Sequence, residues 1–491
     1  MVLSAAGAVF AAALVLQGIV LGLSSLAYAD AGKPAAHDNE AFDVMNFLTD
    51  RGLHDIEAEP WNAYGQFTYI SSWKRPFAAA YTNLGGSTNS MSPQAERSFT
   101  GSATMYVGLR LWAGAEAYFV PEIIAERPLS QLTGLGGAIQ NGELQKNGTS
   151  TPQIYRSQTF IKQTISLGGS RQTKTSDPLQ LGQTVDSHRI VLIAGNFTIL
   201  DFFDKNSFAG DVRQQFLNMA FLTHAAYDFA SDARGYSWGG VAELHWDDWA
   251  VRVARMTPPQ NPNVLPVDFR LAKYYGDQME IEHRHTLAGQ PGAVKLLGYR
   301  NREWMGRFDQ ALAAFAADPA KNATTCQNYN YNSGNATAPD LCWSRRENTK
   351  MGIGLNVEQA LSEDIGIFAR GMISDGQTEV YAYTSTDRSA SIGLTARGTP
   401  WRRPFDIAGL GMGVGWISSN HAAYLAAGGI DGFIGDGNLH VGAENVEELF
   451  YSFNFLRTIW LTADLQRIGN PAFNSDRGPV TILGARIHAE F

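Results

Sequence analysis

The side chains with the chemistry to bind or react share one parity along alternating stretches. Arg110, Arg284, Lys350, Arg370, Arg397 and Arg486 are basic, and Glu116, Glu280, Glu282 and Asp464 are acidic. Leu109 and Leu111 flank Arg110, and Ala485 and Ile487 flank Arg486. The rings of Tyr106, Trp112, Tyr118 and Trp460 fall on the parity of the charges. With Glu243, Arg252, Glu358, Asp364 and Glu490 the set holds seven basic and eight acidic groups. A single-sign set would point to an anion or a cation path. A balanced set with flat rings suits a neutral solute rich in hydroxyls, which takes paired donors and acceptors and stacks its apolar faces. The plainer alternative is that these charges pair with one another and wet the face they share.

Motifs for covalent or metal chemistry lack their context. Gly235-Tyr236-Ser237-Trp238-Gly239 has the spacing of a hydrolase nucleophile elbow, but the strand-like VAELHW follows where that elbow needs a helix. His283 and His285 are two positions apart with no third ligand in view, a weak metal pattern. GLGMGVG (409–415) alternates glycine with Leu410, Met412 and Val414, unlike a phosphate loop. No metal and no cofactor is expected. Lys and Arg number 38 against 47 Asp and Glu, a net charge of -9 that argues against nucleic acid as a partner. Asn147, Asn322 and Asn335 head N-x-T triplets, which carry no weight in a bacterial host.

What must position the charged parity is β-structure. Met105, Val107, Leu109 and Leu111 alternate with Tyr106, Arg110 and Trp112; Met351, Ile353, Leu355 and Val357 alternate with Lys350, Asn356 and Glu358. Ile392 and Leu394 oppose Thr395 and Arg397, and Leu461 and Leu465 oppose Thr462, Asp464 and Gln466. The pattern predicts sixteen strands, near 61–71, 102–112, 115–123, 154–167, 188–199, 235–246, 249–256, 275–286, 292–302, 349–358, 364–373, 389–397, 406–418, 443–454, 457–467 and 479–491. Most approach the ~9–11 residues of a tilted membrane-crossing strand. In the fourth, fifth and ninth both faces are apolar, so their facing is ambiguous. Short links after even strands alternate with long links after odd ones; 168–187 is the one long link in a short position.

One greasy face and one charged face in a single sheet require oil on one side and water on the other. In oil an open edge would leave amides unpaired at several kcal/mol each, so the sheet must close. The expected fold is all-β: a transmembrane antiparallel barrel of sixteen strands over 61–491, with short periplasmic turns, long outer loops and a hydrated lumen. The final stretch ILGARIHAEF then puts Leu483, Ala485, Ile487 and Ala489 in lipid, Arg486, His488 and Glu490 in the lumen and Phe491 at the periplasmic interface. Trp61, Trp246, Trp249, Trp416 and Tyr451 fit interfacial girdles. Outer-membrane lipid and lipopolysaccharide are the surroundings this places around the wall.

The remaining segments read as follows. Residues 1–29 are uncharged and end in Ala27-Tyr28-Ala29, an export signal, although its first residues lack the usual Lys or Arg; an uncleaved anchor or an upstream start are the alternatives. Residues 30–60 form a periplasmic lead-in with a short amphipathic helix in AFDVMNFLTDRGL. Cys326 and Cys342 enclose a polar stretch and read as a loop disulfide in an exported chain, free thiols being the alternative. The loop 201–235 is unusually apolar, with Phe216, Met219, Ala220, Thr223 and Tyr227 at helical spacing. If it folds inward, Asp201, Asp204, Lys205, Asp211 and Arg213 narrow the bore; the alternative is a cap over the rim.

YVGLRLWAGAEAYFVPEI (106–123), IVLIAGNFTILDFFDKNSFAGDVRQQFLNMAF (190–221), Tyr236-Ser237-Trp238-Gly239 and TADLQRIGNPAFNSDRGPVTILGARIHAEF (462–491) resemble the carbohydrate-selective porins of Gram-negative outer membranes, the OprB family. The resemblance spans about 61–491. It implies a monomeric sixteen-stranded barrel in the cell outer membrane that passes small neutral sugars such as glucose without any reaction. A general non-selective porin, and further off a barrel enzyme or adhesin, are the other readings.

Overall fold

In a computed structural model the structure describes residues 44–146, 148–321 and 337–491. Sixteen antiparallel strands close into one barrel, each bonded to the next and β1 to β16. In order they are β1 Trp61–Lys74, β2 Glu96–Trp112, β3 Ala115–Arg127, β4 Gln153–Lys174, β5 Gln183–Phe197, β6 Ser237–Trp246, β7 Trp249–Met256, β8 Tyr275–Leu287, β9 Gln290–Met305, β10 Arg346–Ala360, β11 Ile365–Ser374, β12 Arg388–Gly398, β13 Arg403–Trp416, β14 Glu444–Asn454, β15 Ile459–Gly469 and β16 Val480–Glu490. The alternation sorts as its chemistry demands. Ile353 and Leu483 point out, 57% and 47% exposed in the bare chain, while Lys350 and Arg486 point in, 2% and 1% exposed. The seam runs from Gln66 opposite Glu490 to Lys74 opposite Ile482. The Phe491 ring fills the notch at Gly65, where a Cβ would lie 2.3 Å from a ring carbon.

Short and long links alternate around the wall, and the supposed exception is removed. β4 runs to Lys174 and β5 begins at Gln183, leaving a turn of residues 175–182 where a link of 168–187 was expected. Two register shifts around Gly168 bend this hairpin, which extends past the turns beside it. Its tip tucks under the lumen: Tyr64 Oη donates to Ser176 Oγ (2.7 Å), Asn62 Nδ2 to the Gln180 carbonyl (2.9 Å), and the Leu181 N–H to Tyr118 Oη (3.1 Å). Glu59 of the lead-in accepts from Ser176 Oγ (2.7 Å) and the Gly182 N–H (2.6 Å). The lead-in carries the expected helix as α1, Val44–Asp50, whose Met45 is fully buried. Residues 1–43, with the expected export signal, lie outside the described residues.

The apolar core lies inside the barrel, between the wall and the loops that enter it. The loop after β5 descends into the lumen and carries one short helix, α2, Met219–Leu222. Phe216 and Phe221 of this loop pack on Phe368 and Phe450 of the wall, with Phe216 to Phe450 at 4.9 Å between ring centres. Of the two expected placements, inward folding is the one the structure adopts. This core explains the ambiguous strands: Phe160, Val191, Ile193, Leu297 and Tyr299 face inward against the loop, so both faces of β4, β5 and β9 are apolar. It also explains the glycine run of β13. Gly411 leaves room for the loop, since a Cβ there would meet ring carbons of Phe216 and Phe221 at 2.9 Å.

Outside the lumen, α3 (Phe308–Ala317) and α4 (Ser419–Ala426) cover the loop end. Phe308 stacks on His421 at 4.2 Å. Cys342, buried next to them, is disulfide-bonded; Cys326 lies outside the described residues, as do Asn147, Asn322 and Asn335.

Candidate functional site: the constriction of the lumen

The inward charges divide into two groups. One group holds the loop in place. Arg370 pairs with Asp204 (3.1 Å) and donates to the carbonyls of Phe221 and Ala209, each at 2.8 Å. Arg486 donates to the carbonyls of Val212 (2.7 Å) and Gln215 (2.8 Å). Lys350 pairs with Asp228 (3.1 Å), which also accepts the N–H groups of Tyr381, Ala382 and Tyr383. Glu280 accepts the Asp204 N–H (2.7 Å) and an Arg252 N–H (2.9 Å). Asp464 is buried and accepts from Gln466. An irregular backbone inside a barrel must find its partners there, and wall charges supply them.

At the turn end the wall charges meet the β4–β5 tip. Glu116 pairs with Lys162 (2.7 Å) and accepts from Tyr118 and Gln183. Arg110 donates to the Glu59 carbonyl (3.0 Å) and to Gln183 (3.1 Å). Glu282 pairs with Arg252 (2.6 Å), and Arg284, partly open, lies 3.6 Å from Glu282. Arg397 is exposed at the end of β12, beside a register shift. Trp112 is a correction. A shift between Arg110 and Trp112 turns the ring to the outer face, where it is 59% exposed and donates to Gln163 (2.9 Å). It belongs to the aromatic girdle, and the bulge defeats the parity count.

The second group lines a cavity of about 270 Å³ between the β3–β4 loop, the β5–β6 loop and the wall. Arg213 is part of its lining. It reaches Glu143 at 2.8 Å, Glu122 at 3.3 Å and Tyr106 Oη at 2.7 Å. Burial works against that charge, but Glu143, Tyr106 and Glu122 hold it well above the ordinary arginine range, so it stays cationic. Glu122 accepts further from Thr104 (2.7 Å) and Tyr155. The Arg234 guanidinium lies 4.0 Å over the Tyr155 ring, and Tyr236 is 6.3 Å beyond. Asp201 accepts from Gln158 (2.9 Å), and burial raises its pKa. Lys146 opens onto the same space; burial lowers it to about 7, against the pull of Asp228 and Asp232. Met219, Leu222, Phe229 and Tyr383 form the apolar side.

Of the loop charges expected here, Arg213 and Asp201 line the cavity. Lys205 and Asp211 are exposed nearby, Asp211 accepting the Arg213 N–H. Asp204 is a correction: it is buried against Arg370, Thr223 and His224 and narrows nothing itself. Glu122, Glu143, Lys146, Arg234, Tyr155 and Tyr236 were not anticipated. Glu122 shares the parity of Glu116 and could have been found six residues further along β3. Tyr155 lies before the register shift between Val120 and Pro121, and Glu143 and Lys146 lie in a loop with no period to read. A larger cleft of about 750 Å³ opens between the β7–β8 loop and outward-facing Trp304, away from this constriction.

A closed sixteen-stranded wall, lipid-facing outside and narrowed inside by its own loop, defines an outer-membrane diffusion channel. The Carbohydrate-selective porin, OprB family, profile matches residues 88–491. The chain belongs to that family and is an outer-membrane sugar channel. Among solved structures it is similar to the high-pH form of Pseudomonas putida OprB, with a TM-score of 0.64 and 15% identity over 91% of this chain and 96% of that one. The DcaP channel of Acinetobacter baumannii aligns at a TM-score of 0.46 and 9% identity over 88% of this chain and 97% of that one. No curated protein matches.

Proposed function

We propose that the channel passes single small sugars, such as glucose, down their gradient, and that the ring of Arg213, Glu122, Glu143, Arg234 and Asp201 with Tyr106, Tyr155 and Tyr236 is where they are recognised. The observation that carries this reading is the mixture of opposite charges and tyrosine faces around one small space. Charge-assisted donors and acceptors replace the water lost by sugar hydroxyls, and the rings accept the apolar ring face. A space of about 270 Å³ lies just below the ~300–1,000 Å³ of ordinary small-molecule sites. It therefore suits one sugar ring better than an oligosaccharide. Arg110, Glu282 and Arg284 form a second polar stage towards the periplasm.

The protein carries out no reaction in this reading and needs no cofactor. It works as a monomer surrounded by outer-membrane lipid, with residues 1–29 removed on export and 30–60 on the periplasmic side. Planar-bilayer recording with sugars of increasing size tests it. Glucose is expected to reduce single-channel current at millimolar concentration and a trisaccharide to do so less. A current indifferent to every sugar would leave a general porin.

A further inference from the structure

Three arginines on the outer wall near the loop end form no ion pair among the described residues. Arg75 follows β1, Arg97 lies on β2 and Arg127 ends β3, and all three are exposed. Register places them in one row. Arg97 is opposite Trp73 on β1, and Arg127 is opposite Phe99, two positions along from Arg97. The Arg75 N–H bonds to the Thr481 carbonyl and continues the sheet past Lys74. Adjacent strands run about 4.8 Å apart, so one headgroup can reach across all three. Their parity is that of the lipid face: Arg97 with Phe99 and Met105, Arg127 with Phe119 and Ile123.

Arg156 and Arg300, also exposed near this end, lie over the Trp238 and Tyr275 rings, each apart from the row, and three further outward arginines are neutralised within the chain. Arg255 pairs with Asp277 at 2.7 Å, Arg270 with Asp268 at 2.5 Å, and Arg302 with Glu347. Among the described residues Arg75, Arg97 and Arg127 enter no ion pair. Directly below them the surface is aromatic and aliphatic. The Arg97 guanidinium lies 5.4 Å from the Trp73 ring centre, Tyr69 stacks with Phe99 at 6.2 Å, and Ile123 continues the patch.

We infer that this face binds lipopolysaccharide of the outer leaflet, with the lipid phosphates on the arginine row and the acyl chains along Tyr69, Phe99 and Ile123. A guanidinium fork matches phosphate in geometry and charge, and three unopposed cations at the rim of a hydrocarbon layer call for an anion from outside the chain. The inference rests on the membrane position of the wall and not on the sugar reading. Native mass spectrometry of the full chain in detergent, titrated with bis-phosphorylated lipid A, tests it. Wild type is expected to retain lipid A in preference to phosphatidylglycerol, and Arg97→Gln/Arg127→Gln to bind it about tenfold or more weakly. Arg255→Gln, which removes a paired arginine, serves as the control that leaves retention unchanged. Retention by the double variant equal to wild type, or phosphatidylglycerol held as tightly as lipid A by wild type, would overturn the inference. The lipid comparison on wild type needs no variant to fold.

Discussion

At the scale of single residues, the constriction is governed by one cation between two carboxylates. Arg213→Gln removes the one cation that is ion-paired with both Glu122 and Glu143. The expected outcome is a shift of reversal potential towards cation selectivity and a sugar block weakened by about tenfold, the loss of one charge-assisted contact. A salt-gradient measurement and a glucose titration on the same channel check both. Lys146 gives the opening a pH dependence. With its pKa lowered to about 7, it is charged below that value and neutral above it. As pH rises from 6 to 8 the cavity loses positive charge, and cation selectivity is expected to grow. Lys146→Met should remove that change between pH 6 and 8 and leave the channel at its high-pH selectivity throughout.

At the scale of elements, the loop inside the barrel is fixed by buried charge. Arg370 and Asp204 are both fully enclosed, and loss of one partner from such a pair costs about 3–5 kcal/mol because the other charge remains. Arg370→Met is therefore expected to free the loop, with a larger and noisier single-channel conductance. Arg370→Met/Asp204→Asn should restore part of the quiet state. The β4–β5 tip has the same kind of effect at the other end. Deleting 176–181 uncovers Tyr118, Glu116 and Asn62 and should raise conductance while leaving the constriction, and so the sugar block, in place. These elements also mark where the sequence could be read. The strands and the inward course of the apolar loop were legible, because oil on one side and packing on the other leave a period in the residue types. What Arg370 or Arg486 does was not. Parity shows that a side chain points inward, but whether it meets water or a loop carbonyl depends on a segment far away in the chain. Bulges set a second limit. One extra residue between Arg110 and Trp112 moved an expected lumen ring into the girdle, and nothing in that stretch announces it.

At the scale of the whole molecule, the barrel is a cylinder whose outer face must be uncharged at mid-height. Ile353→Arg on β10 is expected to cost about 2–4 kcal/mol in a bilayer, whereas Ile353→Leu, which keeps that outward position apolar, should cost little. Heat-modifiability on gels, or urea unfolding in lipid vesicles, checks the contrast. The seam carries a further consequence for how such a wall comes to exist. Gln66 pairs with Glu490 across nearly the entire length of the chain. Until β16 arrives, β1 offers a free edge with unpaired amides, and no partial set of strands can shield it from lipid. Insertion must therefore wait for the last strand or borrow a temporary neighbour for the first. A chain cut short before residue 480 would be an aggregation hazard, not a smaller channel.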